Sequence, residues 1–190
     1  MTRELPLASD FLEDEARGIH PADEDDLGPV ANPESVARTI CLRLLDAKAR
    51  SRAELFAAMR KKNVPVEIAE RLLNRYTEVG LIDDQSLADG YALAQHRERG
   101  LARAAVAQKL RHRGLDDEII ADALEQITPE GERAAARALA ERKLRALAGL
   151  APEVQTRRLI GMLARRGYSP GLAYEVAKAL ISVVAIEESA

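Results

Sequence analysis

The stretch LRHRGL at 110–115 returns as LARRGY at 163–168 and, with asparagine in place of glycine, as MRKKNV at 59–64. An apolar residue, a short basic run, a residue that tolerates the left-handed conformation and a second apolar residue, written three times, restrict the fold of this chain more than any other feature. A slide of 51 residues lays Leu55 on Val106, Met59 on Leu110, Asn63 on Gly114, Val64 on Leu115 and Ile68 on Ile119. A further slide of 53 brings Leu159, Leu163, Gly167, Tyr168 and Leu172 onto the same places. A period of this length is one small supersecondary unit, which covers its apolar face by stacking on its neighbours.

Within each period apolar residues recur three and four apart, as in Leu55/Met59, Val106/Leu110 and Leu159/Leu163, while strand-like alternation is nearly absent. The units are therefore helical. Asn32-Pro33, Thr128-Pro129 and Ser169-Pro170 each set a capping side chain before a proline that suits a first helical turn, and Ser51 with Glu54 reads as a capping box. Stops fall at Gly80, Gly100, Gly114, Gly149 and Gly167. These marks predict nine helices, near 34–47, 51–62, 65–79, 84–98, 101–113, 116–126, 129–148, 152–166 and 170–184. The run ISVVAI at 181–186 is expected as a helix tail, since nothing nearby offers it a strand to pair with. The expected fold is all-α, an elongated and curved array of three tandem three-helix repeats at 33–80, 81–127 and 128–186. Residues 1–32, with few apolar residues and the acidic run DEDD at 23–26, are expected to form a disordered acidic tail.

Several classes of function are disfavoured at once. No apolar run approaches the roughly 20 residues of a spanning helix, and the first residues lack the pattern of a signal peptide, so no membrane partner is expected and the chain reads as cytoplasmic. The single cysteine, Cys41, cannot form an internal disulfide and falls in the apolar pattern of its helix with Ala37 and Leu45, as a small core residue does. Three isolated histidines provide no metal-ligand spacing, and no nucleophile stands in a recognisable context. Catalytic residues, metals and cofactors are therefore not expected. The paired carboxylates Asp83-Asp84 and the run Asp116-Asp117-Glu118 stand where helix N-termini favour anions, which accounts for them without a metal.

Charge is unevenly divided. Residues 1–35 carry ten acidic and two basic side chains, a net of −8 within a whole-chain charge of −3, which leaves +5 for residues 36–190. The basic runs Arg60-Lys61-Lys62, Arg111-His112-Arg113 and Arg165-Arg166 lie at predicted helix C-termini, where positive charge offsets the macrodipole. That effect does not account for Arg50, Arg52, Arg97, Arg99, Arg103 and Lys109, which point to a surface for an anionic partner. Basic residues of helix 101–113 fall on both flanks of its apolar stripe, and two Phe, four Tyr and no Trp leave few platforms for stacked bases. Contact with a nucleic acid would be with the backbone, salt-dependent and indifferent to sequence.

The segments LRLLDAKARSRAEL at 42–55 and GLIDDQSLADGYALAQHRERG at 80–100, followed by the apolar-basic-glycine endings, resemble the RecX family of bacterial regulatory proteins over about residues 36–182. The resemblance implies tandem three-helix repeats and a RecA recombinase filament as partner, with inhibition of its ATPase and strand exchange in recombination, repair and the SOS response. Two departures stand out: Leu87 replaces a common aromatic, and Ala104-Ala105 replace a commonly basic pair. The expected contact set is Arg52, Arg60, Lys61, Lys62, Arg97, Arg99, Arg103, Lys109, Arg111, Arg113, Arg165 and Arg166, borne by a monomer. The rival expectation is a nonspecific DNA-binding protein that acts without a recombinase.

Overall fold

A computed structural model describes residues 32–187 of the chain. The tail expected before residue 32 lies outside them. Nine α-helices and no strand occur among the described residues: α1 (Pro33–Ala47), α2 (Arg52–Arg60), α3 (Val66–Glu78), α4 (Asp84–Arg99), α5 (Arg103–His112), α6 (Asp117–Glu125), α7 (Pro129–Arg145), α8 (Pro152–Arg165) and α9 (Pro170–Glu187). Residues 181–186 continue α9, as expected. The middle helices end earlier than their sequence pattern suggests. Lys61, Arg113 and Arg166 cap the ends of α2, α5 and α8, so part of each basic run lies on a turn.

Side-chain capping explains the starts of α2, α4 and α7. Ser51 Oγ accepts the Glu54 N–H at 3.1 Å while the Glu54 carboxylate accepts the Ser51 N–H at 3.0 Å, which closes the capping box. Thr128 accepts the Gly131 N–H at 3.0 Å, and Asp83 accepts the Ser86 N–H at 2.8 Å. Asp116 differs from expectation, because its side chain makes no capping bond and only its position at the start of α6 remains favourable.

The helices group by threes, and each trio has its own core. Leu55, Met59 and Leu73 are fully buried with Ala37, Cys41 and Ile82 in the first; Val106, Leu110, Ile120 and Ile127 in the second; Leu159, Leu163, Tyr168 and Ala177 in the third. Burying one such Leu or Ile contributes about 1.5–3 kcal/mol. The extensive helix–helix packing lies inside trios. Hydrogen bonds between trios join the first to the second and the second to the third, so the array is held by two joints.

Both joints follow one plan: the start of a middle helix meets the end of the next trio's middle helix. At the first joint Ser51 Oγ donates to the Arg113 carbonyl at 2.5 Å; at the second the Ala102 N–H donates to the Arg166 carbonyl at 3.0 Å. A carboxylate from the next trio also takes the first N–H of each middle helix. Asp84 of α4 accepts from Arg52 at 3.0 Å, and Glu132 of α7 accepts from Arg103 at 2.8 Å. Asp84 therefore acts on α2 across the joint, whereas Asp83 caps α4 itself. The two carboxylates that the sequence suggests share one role have two.

The recurring glycine now has a second reason besides its left-handed backbone. A Cβ on Gly114 would lie 2.5 Å from the Ala53 Cβ, and one on Gly167 would lie 2.6 Å from the Ala105 Cβ and 2.9 Å from the Ala105 nitrogen. Asn63 occupies the same place in the first trio, with φ 57°. Among the described residues no other trio packs against that place, and a side chain is tolerated there.

Candidate functional site

Of the twelve basic residues singled out in the sequence, five are engaged inside the fold. Arg113 is the most committed. Its Nε and Nη2 donate to the Glu54 carboxylate at 3.0 and 2.8 Å, Nη2 also donates to the Ala49 carbonyl at 3.2 Å, and its guanidinium lies 5.3 Å from the Tyr91 ring centroid. Only 17% of this side chain is exposed, so it serves the first joint. Burial alone would push the Glu54 carboxyl up; the Arg113 and Ser51 hydrogen bonds, with the charges of Arg113 and Arg50, outweigh it and hold Glu54 below the usual carboxylate range. Arg52 pairs with Glu70 and donates to Asn74 at 2.7 Å. Arg60 donates to the Val64 carbonyl at 2.7 Å, Arg111 to Asp117 at 2.7 Å, and Arg166 to the Arg99 carbonyl.

The other seven, Lys61, Lys62, Arg97, Arg99, Arg103, Lys109 and Arg165, make no salt bridge and no side-chain hydrogen bond with any described residue. Arg103 is half-buried and the rest are exposed. Most of them cluster at the C-terminal ends of α2, α4, α5 and α8, where the helix dipole stabilises their charge without consuming it in a pair.

One cavity brings several of them together. It measures about 460 Å³ and lies at the second joint, lined by Gln95, Glu98, Arg99 and Leu101 around the end of α4, by Lys109 of α5, by Arg142 of α7 and by Arg166 at the end of α8. Four cations thus face one carboxylate. Arg142 escaped the sequence reading because it belongs to no apolar-basic-glycine run, although the basic last turn of α7, with Arg142, Lys143 and Arg145, was a signal for it. A second groove of about 420 Å³ between α1 and α3 gathers Arg38, Arg71 and Arg75, but Arg38 and Arg75 pair with Glu34 and Glu78 there. The remaining cations stay apart: Lys61 and Lys62 belong to the first trio, while Arg165 at the end of α8 is absent from the cavity that Arg166 lines.

Among the described residues no group of three or more His, Cys, Asp or Glu is placed to hold a metal, and no helix is long and apolar enough to cross a membrane. Cys41 is buried with its Sγ 3.7 Å from the Met59 Sδ, and burial pushes its thiol up to about 11, as fits a core residue.

Fold and surface together define a tandem three-helix-repeat protein that carries unpaired cations at its helix ends. Sequence profiles described as the first, second and third three-helix domains of RecX match residues 37–75, 83–124 and 130–177. The chain belongs to the RecX family. It is 44% identical over 163 residues to "Regulatory protein RecX" of Thermobifida fusca, covering 84% of this chain and 88% of that one. It is 46% identical over 150 residues to the protein of the same name from Streptomyces coelicolor, covering 79% and 80%. The crystal structure of RecX from Lactobacillus salivarius superposes with a TM-score of 0.72 at 20% identity, over 80% of this chain and 98% of that one, which establishes the shared fold. A second structure, of regulatory protein RecX, superposes with a TM-score of 0.68 at 25% identity, over 78% and 73%.

Proposed function

We propose that this protein is a cytoplasmic, monomeric regulator that binds the RecA–DNA filament and mainly inhibits its ATPase and strand exchange. The observation that carries the reading is the recurrence of unpaired, exposed cations on successive trios: Lys61 and Lys62 on the first, Arg97, Arg99 and Lys109 on the second, Arg165 on the third. A helical filament presents the same acidic and phosphate groups at regular intervals, and a tandem array can touch several of them at once. Weak contacts then add through effective concentration, without any single strong one. Lying along the filament, the array would exclude a second DNA and restrain the subunit movements of ATP turnover. Arg113 is left out of this contact set, and Arg52, Arg60 and Arg111 belong to it only if their present partners are exchanged.

The test is RecA ATP hydrolysis on single-stranded DNA with substoichiometric amounts of the full chain. Wild type is expected to inhibit. Reversal of Lys61, Lys62 and Arg97 to glutamate removes three exposed contacts of about 0.5 kcal/mol each, so about tenfold more protein should be needed. Unchanged inhibition by the folded triple variant removes these residues from the surface. Steeply salt-dependent DNA binding with no effect on RecA replaces the whole reading by that of a nonspecific DNA-binding protein.

A further inference from the structure

We propose that the cavity at the second joint is a phosphate-binding site. Arg99, Lys109, Arg142 and Arg166 enter it from four different helix segments, and the wall holds one carboxylate, Glu98. The chain does pair its arginines elsewhere, as in Arg113–Glu54, Arg133–Glu175 and Arg137–Glu141. Here none of the four cations is in a salt bridge, although Glu98 lies on the same wall. Like charges gathered without internal compensation are relieved by an external anion.

The lining narrows the kind of anion. Three guanidinium groups match phosphate oxygens with paired N–H donors, Lys109 adds a point charge and Gln95 adds a neutral donor. No aromatic ring lines the cavity, so a nucleobase has nothing to stack on and the phosphate is what the site reads. Arg166 is already oriented by its bond to the Arg99 carbonyl, which lowers the ordering cost of binding. Because α4 and α5 belong to one trio and α7 and α8 to the next, a bound phosphate bridges the joint and resists its opening. The site extends the proposed function by naming what part of the electropositive surface takes phosphate. That phosphate is either a DNA phosphodiester or the chain of a free polyphosphate.

Arg142→Gln isolates the site, since Arg142 is exposed, unpaired and takes part in none of the hydrogen bonds that hold the joints. Arg157→Gln, on an exposed face of α8 outside the cavity, is the control for general loss of charge. The full chain is titrated with a fluorescent single-stranded oligonucleotide over a range of salt, and its melting temperature is measured with and without sodium tripolyphosphate. If DNA is the source, Arg142→Gln weakens oligonucleotide binding about five- to tenfold and lowers the log–log salt slope by about 0.7, whereas Arg157→Gln changes both less. If a free polyphosphate is the source, tripolyphosphate raises the melting temperature of wild type and not of Arg142→Gln, with oligonucleotide binding equal. Equal behaviour of Arg142→Gln and wild type toward both probes, or an equal loss in Arg157→Gln, overturns the proposal. Neither measurement contains a recombinase. Failure here with RecA inhibition intact leaves the filament reading standing, and loss of RecA inhibition with phosphate binding intact does the reverse.

Discussion

Replacing Gly167 by alanine probes the second joint directly. The backbone there has φ +86°, which costs an alanine about 1–2 kcal/mol before any contact is considered. The new methyl would sit 2.6 Å from the Ala105 Cβ and 2.9 Å from the Ala105 nitrogen, and neither atom can rotate away. The joint must open, at about 1–3 kcal/mol by analogy with overpacked cores. Opening strains the bonds on either side of residue 167, from the Ala102 N–H to the Arg166 carbonyl and from the Tyr168 hydroxyl to the Gly100 carbonyl. The total is about 2–5 kcal/mol, a large share of the 5–15 kcal/mol that stabilises a typical domain. Gly80→Ala supplies the comparison, since its φ is +73° and no atom lies within 4 Å of the added methyl, so only the backbone cost of about 1–2 kcal/mol applies. Urea unfolding followed by far-ultraviolet circular dichroism measures both. The Gly167 variant should also unfold with a smaller m-value or in two steps, as the third trio uncouples from its neighbour. Equal costs for the two substitutions, with an unchanged m-value, would refute the close approach of the trios.

Glu54, Tyr168 and Cys41 supply further outcomes. Because Glu54 is held below its usual value of 4.5, the unfolded chain binds its proton more tightly than the folded one. The stabilisation is complete above that value and is lost as pH falls through the folded one, so wild type should lose more stability than Glu54→Gln on acidification from about pH 5; parallel curves would argue against the Arg113 pair. Tyr168→Phe leaves the Gly100 carbonyl without its buried 3.1 Å donor and should cost about 1–2 kcal/mol in urea unfolding. In wild type, burial pushes the Tyr168 phenol up to about 12, so its absorbance change should come after that of an ordinary tyrosine in an alkaline titration. The Cys41 thiol, raised to about 11 by burial, should resist alkylation near neutral pH in the folded protein and react readily in urea; fast labelling of the native state would contradict its place beside Met59.

Helix starts and stops were legible residue by residue. Ser51, Thr128 and Asp83 cap as their types suggest, and all five glycines read as stops have positive φ, joined by Asn63. Such features are settled within about four residues of chain, where side-chain oxygen, N–H group and backbone dihedral are neighbours by covalent connection. The three-unit organisation was legible for the same reason, since a repeated local pattern folds into a repeated unit. The site was legible only in part. Lys109, Arg99 and Arg166 were among the expected cations, but nothing in the chain's order places Arg142 beside them, and Arg113 looked as free as Lys62.

The destinations of the charged side chains depend on stacking. Asp84 reaches the N–H of Arg52, Arg113 reaches Glu54, and Arg166 reaches Arg99, each across a joint and each far along the chain from its partner. Which carboxylate a cation meets is fixed by how closely two trios approach, and that distance rests on missing methyl groups at Gly114 and Gly167. Periodicity and capping, being local, reside in the order of the amino acids; the sorting of one arginine into a joint and another into an open pocket arises only when separate helical trios come into van der Waals contact.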